Sequence, residues 1–339
     1  MKYRLYILIT AILLNVTAPR LAAQVGLDKV AQSTMNFQLV GISPKASALG
    51  NAYIALCRGA EAMFYNPAGI ADLNHSLNLT MTMVNWIADI DYIAGAVAWN
   101  LRRYGTIGFS ALAVDYGTVH GTSLVHPSEI DAYPLGYRDD GEVNNVGAYS
   151  IGLTYGRAVS SQFLIGGNVR LVGQNLGENT FYGGDVVKND ATKFVFDAGV
   201  KYYTGFKDFR FGMAIRNFSS NLKREEISEQ LPLLFTMGVA IDLFKLLVPS
   251  LSQDHRMTFA LDFLHSNSYS ERVNWGLEYL LFQKLALRGG YQSNQDLASW
   301  SFGAGFDSTI GNNNIEFNYS YSQFDLFDAV TRFSIAVSF

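Results

Sequence analysis

The chain of 339 residues is 49% hydrophobic yet only 16% charged, with a formal net charge of −4 and a pI near 5.7. That charge content falls below the roughly 25% usual for soluble domains, and mild acidity without a basic stripe of interleaved aromatics excludes a nucleic-acid surface. The single cysteine, Cys57, excludes an intrachain disulfide framework and reads as a small buried residue.

The first residues read as an export signal. Lys2 and Arg4 supply positive charge, Leu5 to Val16 an apolar run, and Leu21, Ala22 and Ala23 small-residue cleavage chemistry. Residues 1–23 are therefore expected to form a signal peptide cleaved after Ala23. The apolar run is shorter than the ~18–20 residues a membrane-spanning helix needs.

Residues 24–74 have a different texture, with helical spacing at Ala46, Leu49, Ala52 and Tyr53 and a turn at Asn66, Pro67, Ala68 and Gly69. Small side chains at Gly41, Ser43, Ala46, Ser47, Ala48, Gly50 and Ala52 permit close packing, which suits a segment folded inside a wide barrel as a hatch. A hydrophobic ligand passing such a hatch would need an apolar pocket near Phe37, Leu39 and Phe64.

From His75 to Phe339 one pattern repeats: about ten residues alternating apolar with small or polar, then a turn rich in Gly, Asn, Asp or Ser. Strands are predicted at 75–86, 92–100, 105–116, 146–158, 162–174, 192–204, 209–217, 232–243, 255–266, 272–281, 284–292, 298–307, 313–322 and 331–339. These are about fourteen, the even number a single-chain transmembrane antiparallel β-barrel requires. Without a run of ~18 apolar residues after the signal, a membrane protein made from this chain must close a sheet to satisfy its backbone. The longest connections, Gly117 to Asn145 and Asn175 to Ala191, fall on one side and are predicted as outer loops. On the other side Phe244 to Asp254 is long enough for a short helix.

A soluble β-sandwich also alternates, but it would turn charge toward water. Here the polar face is Gly, Ala, Ser, Asn and Thr with sparse charges, as in a packed or wet lumen. Tyr149, Tyr155, Tyr202, Tyr279, Tyr291 and Tyr321 near strand ends match aromatic girdles. The predicted lumen charges are Arg170, Asp197, Lys201, Arg210, Arg216, Asp262, Glu278, Arg288, Glu316 and Arg332, either a lattice bracing the hatch or a polar path. The last strand presents Phe333, Ile335, Val337 and Phe339 on one face, so the terminal Phe339 is expected to carry the signal read by the barrel assembly machinery.

The run from Gly41 to Ala52, Gly-Ile-Ser-Pro-Lys-Ala-Ser-Ala-Leu-Gly-Asn-Ala, followed by Tyr65-Asn-Pro-Ala-Gly-Ile, resembles the hatch of the PorV/PorQ family within the FadL-like barrels. Lys45, Leu49 and Asn51 stand where that pattern has Arg, Met and Gly, and Arg58-Gly59 replaces an acidic pair, which leaves the subgroup open. The resemblance implies an accessory or cargo-handling role in the type IX secretion system of the Bacteroidota, with cargo C-terminal domains as partners. The wider FadL-like group implies an alternative, uptake of hydrophobic small molecules, and a third, a lipid-modifying enzyme. The scattered histidines and the absence of a nucleophile elbow or paired carboxylates lead us to expect no catalytic, metal or cofactor site.

Overall fold

The computed structural model describes residues 33–339 except 144, 181–185, 225–226, 253, 296–299, 312 and 325–326. The expected export signal, its cleavage after Ala23 and the first residues of the expected hatch lie outside the described residues.

The alternating segments form a single closed antiparallel barrel of fourteen strands. They are β1 (Leu77–Asn85), β2 (Asp91–Asn100), β3 (Thr106–Asp115), β4 (Gly147–Ala158), β5 (Phe163–Thr180), β6 (Val186–Tyr203) and β7 (Arg210–Phe218). Then come β8 (Leu234–Asp242), β9 (His255–Ser266), β10 (Arg272–Leu281), β11 (Leu285–Gln292), β12 (Trp300–Ile310), β13 (Asn313–Ser322) and β14 (Val330–Ser338). Each strand pairs with its neighbours in sequence, and β14 returns to β1 in a register running from Asn78 opposite Ser338 to Asn85 opposite Thr331. Closure leaves no unpaired edge.

One rim carries short turns. At Phe282 and Gln283 both φ angles are positive (50° and 56°), and Lys284 N donates to Leu281 O at 2.9 Å, the mirror-image turn that suits the right-handed twist of a hairpin. The exception on this rim is the connection after β8, which holds a short helix, α2 (Leu243–Leu247), capped by the Asp242 carboxylate, as its length led us to expect. The opposite rim carries the elaborated connections. Between β3 and β4 a small hairpin, His120–Leu124 with Tyr137–Glu142, stands above the barrel. In it the Gly141 N–H and the His120 ring hold the exposed Asp139 carboxyl below its ordinary pKa.

The expected loop from Asn175 to Ala191 is corrected by the structure: most of it is strand. β5 and β6 each run 18 residues. A register shift between Asn175 and Glu178, with Gly177 at φ 83°, bends the pair, and pairing resumes at Glu178 opposite Lys188, whose charges meet at 3.1 Å. Backbone pairing and an ion pair hold this extension.

Side chains obey the strand period. On the outer face Leu79, Met81 and Met83 of β1, Phe211, Met213 and Ile215 of β7, and Phe333 of β14 are exposed, an apolar band of the kind a transmembrane barrel turns to lipid. Tyr149, Tyr155, Tyr202 and Tyr321 are exposed and Tyr279 and Tyr291 half-buried near the two rims. At the long-loop rim the rings of Trp275, Tyr291 and Trp300 cluster with centroids 4.9 to 5.7 Å apart. Strand parity puts every expected lumen charge on the inner face.

Candidate functional site: the plugged lumen

Residues 33–74 fold as short turns of helix: Asn36–Leu39, α1 (Pro44–Ala48), Ala60–Phe64 and Pro67–Asp72. Pro44 at the first helical position and the Ser43 side chain, which accepts from Ala46 N at 3.4 Å, start α1. The helical spacing expected to continue through Ala52 and Tyr53 does not, because Gly50 and Asn51 adopt φ of 62° and 60° and end the helix. At the second motif Asn66 accepts from Ala68 N at 3.1 Å, and its amide donates to Ile54 O at 3.2 Å and Val200 O at 3.0 Å. Gly69 O accepts from Gly59 N at 3.2 Å. One side chain thus ties the Pro67 turn, the middle of the segment and β6 together.

The segment touches the wall all the way round. Ala60 N donates to the Asn78 side chain on β1, the Asn100 amide on β2 donates to Leu73 O, and Met63 packs on Gly108 of β3. Ile70 lies against Gly156 of β4, Pro67 against Gly166 of β5, and Ile54 against Gly212 of β7 and Gly238 of β8. Leu49 and Gly50 lie against β10 and β11. Ser47 bonds Ser301 of β12 and Ser322 of β13, and Gly41 O accepts from Arg332 Nε of β14 at 2.7 Å. Contact with opposite walls places the segment inside the bore, where its side chains build a core with Ala96 and Ala98 of β2.

The lumen charges reach this segment or pair across the wall. Asp197 accepts from Arg170 at 2.7 and 2.8 Å, from Asn168 at 3.1 Å and from Asn217 N at 2.8 Å. Lys201 donates to Cys57 O at 2.8 Å and meets Asp72 at 3.0 Å, and Tyr203 bonds the same carboxylate. Both Tyr53 N and Ile54 N donate to Asp262, at 2.7 and 2.9 Å. Glu278 is shared by Arg288 (2.8 Å) and Arg256 (3.4 Å). Lys45 stands between Glu61 of the plug (2.6 Å) and Glu316 of the wall (3.0 Å). Arg210 lines a small cavity of about 70 Å³ beside Arg256 and Glu278.

Lys45, Glu61 and Asp72 were not singled out from sequence as charge partners, since each lies in the plug and finds its partner only when the barrel closes. Asn217 was missed because its φ of 63° turns it inward beside Arg216, against strict alternation.

A lumen cavity of about 260 Å³ lies at the long-loop end above the plug. Leu39, Gly41, Ser47, Asn51 and Tyr65 form its floor, and Trp86, Arg216, Thr236, Asp262, Tyr269, Arg272, Asn274, Phe324 and Arg332 its walls. The expected apolar pocket is not gathered in one place: Leu39 lines this cavity, whereas Phe37 and Phe64 line a separate one of about 30 Å³.

No family model matches the sequence, and no curated protein matches it. Solved structures do. The monoaromatic hydrocarbon channel CymD superposes with a TM-score of 0.56 at 12% identity, covering 89% of this chain and 98% of that one. The Ralstonia pickettii toluene transporter TbuX gives 0.55 at 14% over the same shares, and a Pseudomonas aeruginosa FadL homologue 0.53 at 13% over 88% and 98%. At such identities the likeness establishes the fold: a fourteen-stranded barrel of the FadL-like kind.

Proposed function

We propose that this chain is a non-enzymatic outer-membrane barrel of a Gram-negative bacterium, in which residues 24–74 are a hatch and a small molecule enters from the long-loop side. The observation that carries this reading is the segment lodged in the bore, touching every strand, beneath a cavity at one mouth. The likeness to barrels named as a hydrocarbon channel and a toluene transporter supports it. On this reading the long-loop rim faces outward and the short-turn rim the periplasm. The motif residues Gly41, Ser43, Ala46, Gly50, Asn66, Pro67, Ala68 and Gly69 hold the hatch closed.

A second reading, an accessory of type IX secretion that handles cargo C-terminal domains, is favoured by the resemblance of the Gly41 and Asn66 motifs to that family and by the hairpin His120–Leu124 with Tyr137–Glu142 projecting from the rim.

Ser47 of the hatch and Ser322 of the wall have their hydroxyl oxygens 2.9 Å apart. A Ser47→Cys, Ser322→Cys pair is therefore placed to cross-link. In cells expressing the oxidised pair, uptake of radiolabelled small solutes should fall to background and return on reduction, with surface cargo unchanged. Unaltered uptake, together with loss of surface cargo when the connection between Gly117 and Asn145 is shortened, would promote the secretion reading.

A further inference from the structure

The outer wall carries a groove of its own beside the short-turn rim, about 500 Å³ in volume. Strand register builds it. Trp99, Ile107, Tyr155 and Gly167 stand side by side across β2 to β5, and Val97, Phe109, Leu153 and Val169 form the next outward row away from the rim. Gly167 ends the first row without a side chain: a Cβ there would come no closer than 3.7 Å, to Asp197 O, so a notch stays open. The wall is held from behind by the hatch, where Met63 packs on Gly108, Ile70 on Gly156 and Pro67 on Gly166, so the groove is formed before anything enters it.

The rim end of the groove is cationic. Arg102 and Arg103 lie in the turn that joins β2 to β3, and Arg157 follows Tyr155 on the outward face of β4. All three are exposed, and none meets a carboxylate among the described residues, whereas Lys245 farther round the same rim pairs with Asp208. The Tyr155 hydroxyl donates to Tyr104 O at 2.8 Å and so ties the arginine turn to the groove wall, and the Arg103 guanidinium lies 4.7 Å from the Tyr104 ring centre. A groove that is apolar along its length and cationic at its rim end has the polarity of a phospholipid, chain against the strands and phosphate at the rim. A second copy of the chain suits it less, because a two-fold axis normal to the membrane would bring the two arginine groups together.

We propose that this groove holds a chain of an anionic phospholipid from the surrounding leaflet, its phosphate met by Arg103 and Arg157 with Arg102 beside them. The inference rests on the transmembrane reading above and adds a lipid site separate from the lumen.

The test reads quenching of Trp99 fluorescence in the full chain, with Trp275→Phe and Trp300→Phe removing the tryptophans of the other rim. The protein is placed in phosphatidylcholine bilayers holding a minor share of phosphatidylglycerol with brominated chains, and for comparison the same share of brominated phosphatidylcholine. Brominated phosphatidylglycerol should quench Trp99 as though enriched at least about five-fold over its share, the effect of one arginine near an anionic surface. Arg102→Gln, Arg103→Gln and Arg157→Gln together should abolish the enrichment. Gly167→Leu, which fills the notch and leaves the arginines in place, should roughly halve it. A gel shift on boiling confirms that each variant is folded. Equal quenching by the two lipids, or enrichment that survives the arginine changes, overturns the proposal, and enrichment undiminished by Gly167→Leu overturns the groove as the site. A Trp99→Phe protein that keeps Trp275 and Trp300 separates the remaining cases. Quenching of Trp300 without quenching of Trp99 means that a second copy covers the groove and overturns the lipid, whereas quenching of neither overturns the transmembrane reading itself.

Discussion

At Gly290 the wall and the hatch meet backbone to backbone: a Cβ there would stand 2.0 Å from Gly50 N. Its neighbour Gly289 points the other way, and a Cβ there would come no closer than 3.6 Å, to the Phe302 ring. Gly290→Ala should therefore unseat the hatch locally and destabilise the folded barrel by about 1–3 kcal/mol, the usual effect of overpacking. Gly289→Ala should be close to neutral. The temperature at which gel mobility shifts in detergent reads both, and equal shifts would show that the hatch does not press on the wall at that point. The sequence signals this only faintly. Glycine and serine mark the inner face as small, which admits a wet lumen as readily as a packed one. The distinction depends on which plug atoms arrive opposite, and no local pattern encodes that.

Strands were legible because two-faced burial writes a period of two into the residues, and all fourteen are found near their expected positions. The same logic explains the failure at Asn175 to Ala191. Beyond the membrane neither face of β5 or β6 is buried in lipid, so alternation stops while hydrogen bonding continues, and Asn, Gly and Asp there look like a loop. In the hatch, helical spacing overran the real helix because Ala52 and Tyr53 are buried for a different reason, namely that the wall surrounds them.

The C-terminal strand shows a further layer. Phe339 N donates to Leu77 O at 2.9 Å, and its carbonyl accepts from Ser76 N at 2.8 Å, so the residue also closes the β1–β14 seam through its backbone. Deleting it would mix two effects. Phe339→Ala keeps the seam and removes only the exposed ring. If the ring is the assembly signal, membrane yield should fall several-fold, whereas Ser338→Ala, which gives up one hydrogen bond from Asn78, should lose only about 1 kcal/mol of stability and assemble normally. Equal yields in an outer-membrane fraction would remove Phe339 as a signal.

For the molecule as a whole, the contacts that seat the hatch differ greatly in the length of chain they enclose. Ala60 reaches Asn78 over 18 residues and Asn100 reaches Leu73 over 27, while Lys45 reaches Glu316 over 271 and Arg332 reaches Gly41 over 291. Contacts between distant parts of a chain form slowly, and closing larger loops carries a larger entropy loss. The end of the hatch joined to β1 should thus settle first, and the stretch from Gly41 to Ser47, whose wall partners on β13 and β14 come within reach only once β14 has paired with β1, last. A barrel caught between these events is a shut ring with an unstoppered bore, so refolding into a planar bilayer should pass through a conducting stage that decays as the last contacts form. Conductance that never rises above the native level would mean that hatch and ring close together. A conducting stage would make every newly made copy a brief breach in the membrane that receives it, and the speed of those last joints would set how long the cell leaks.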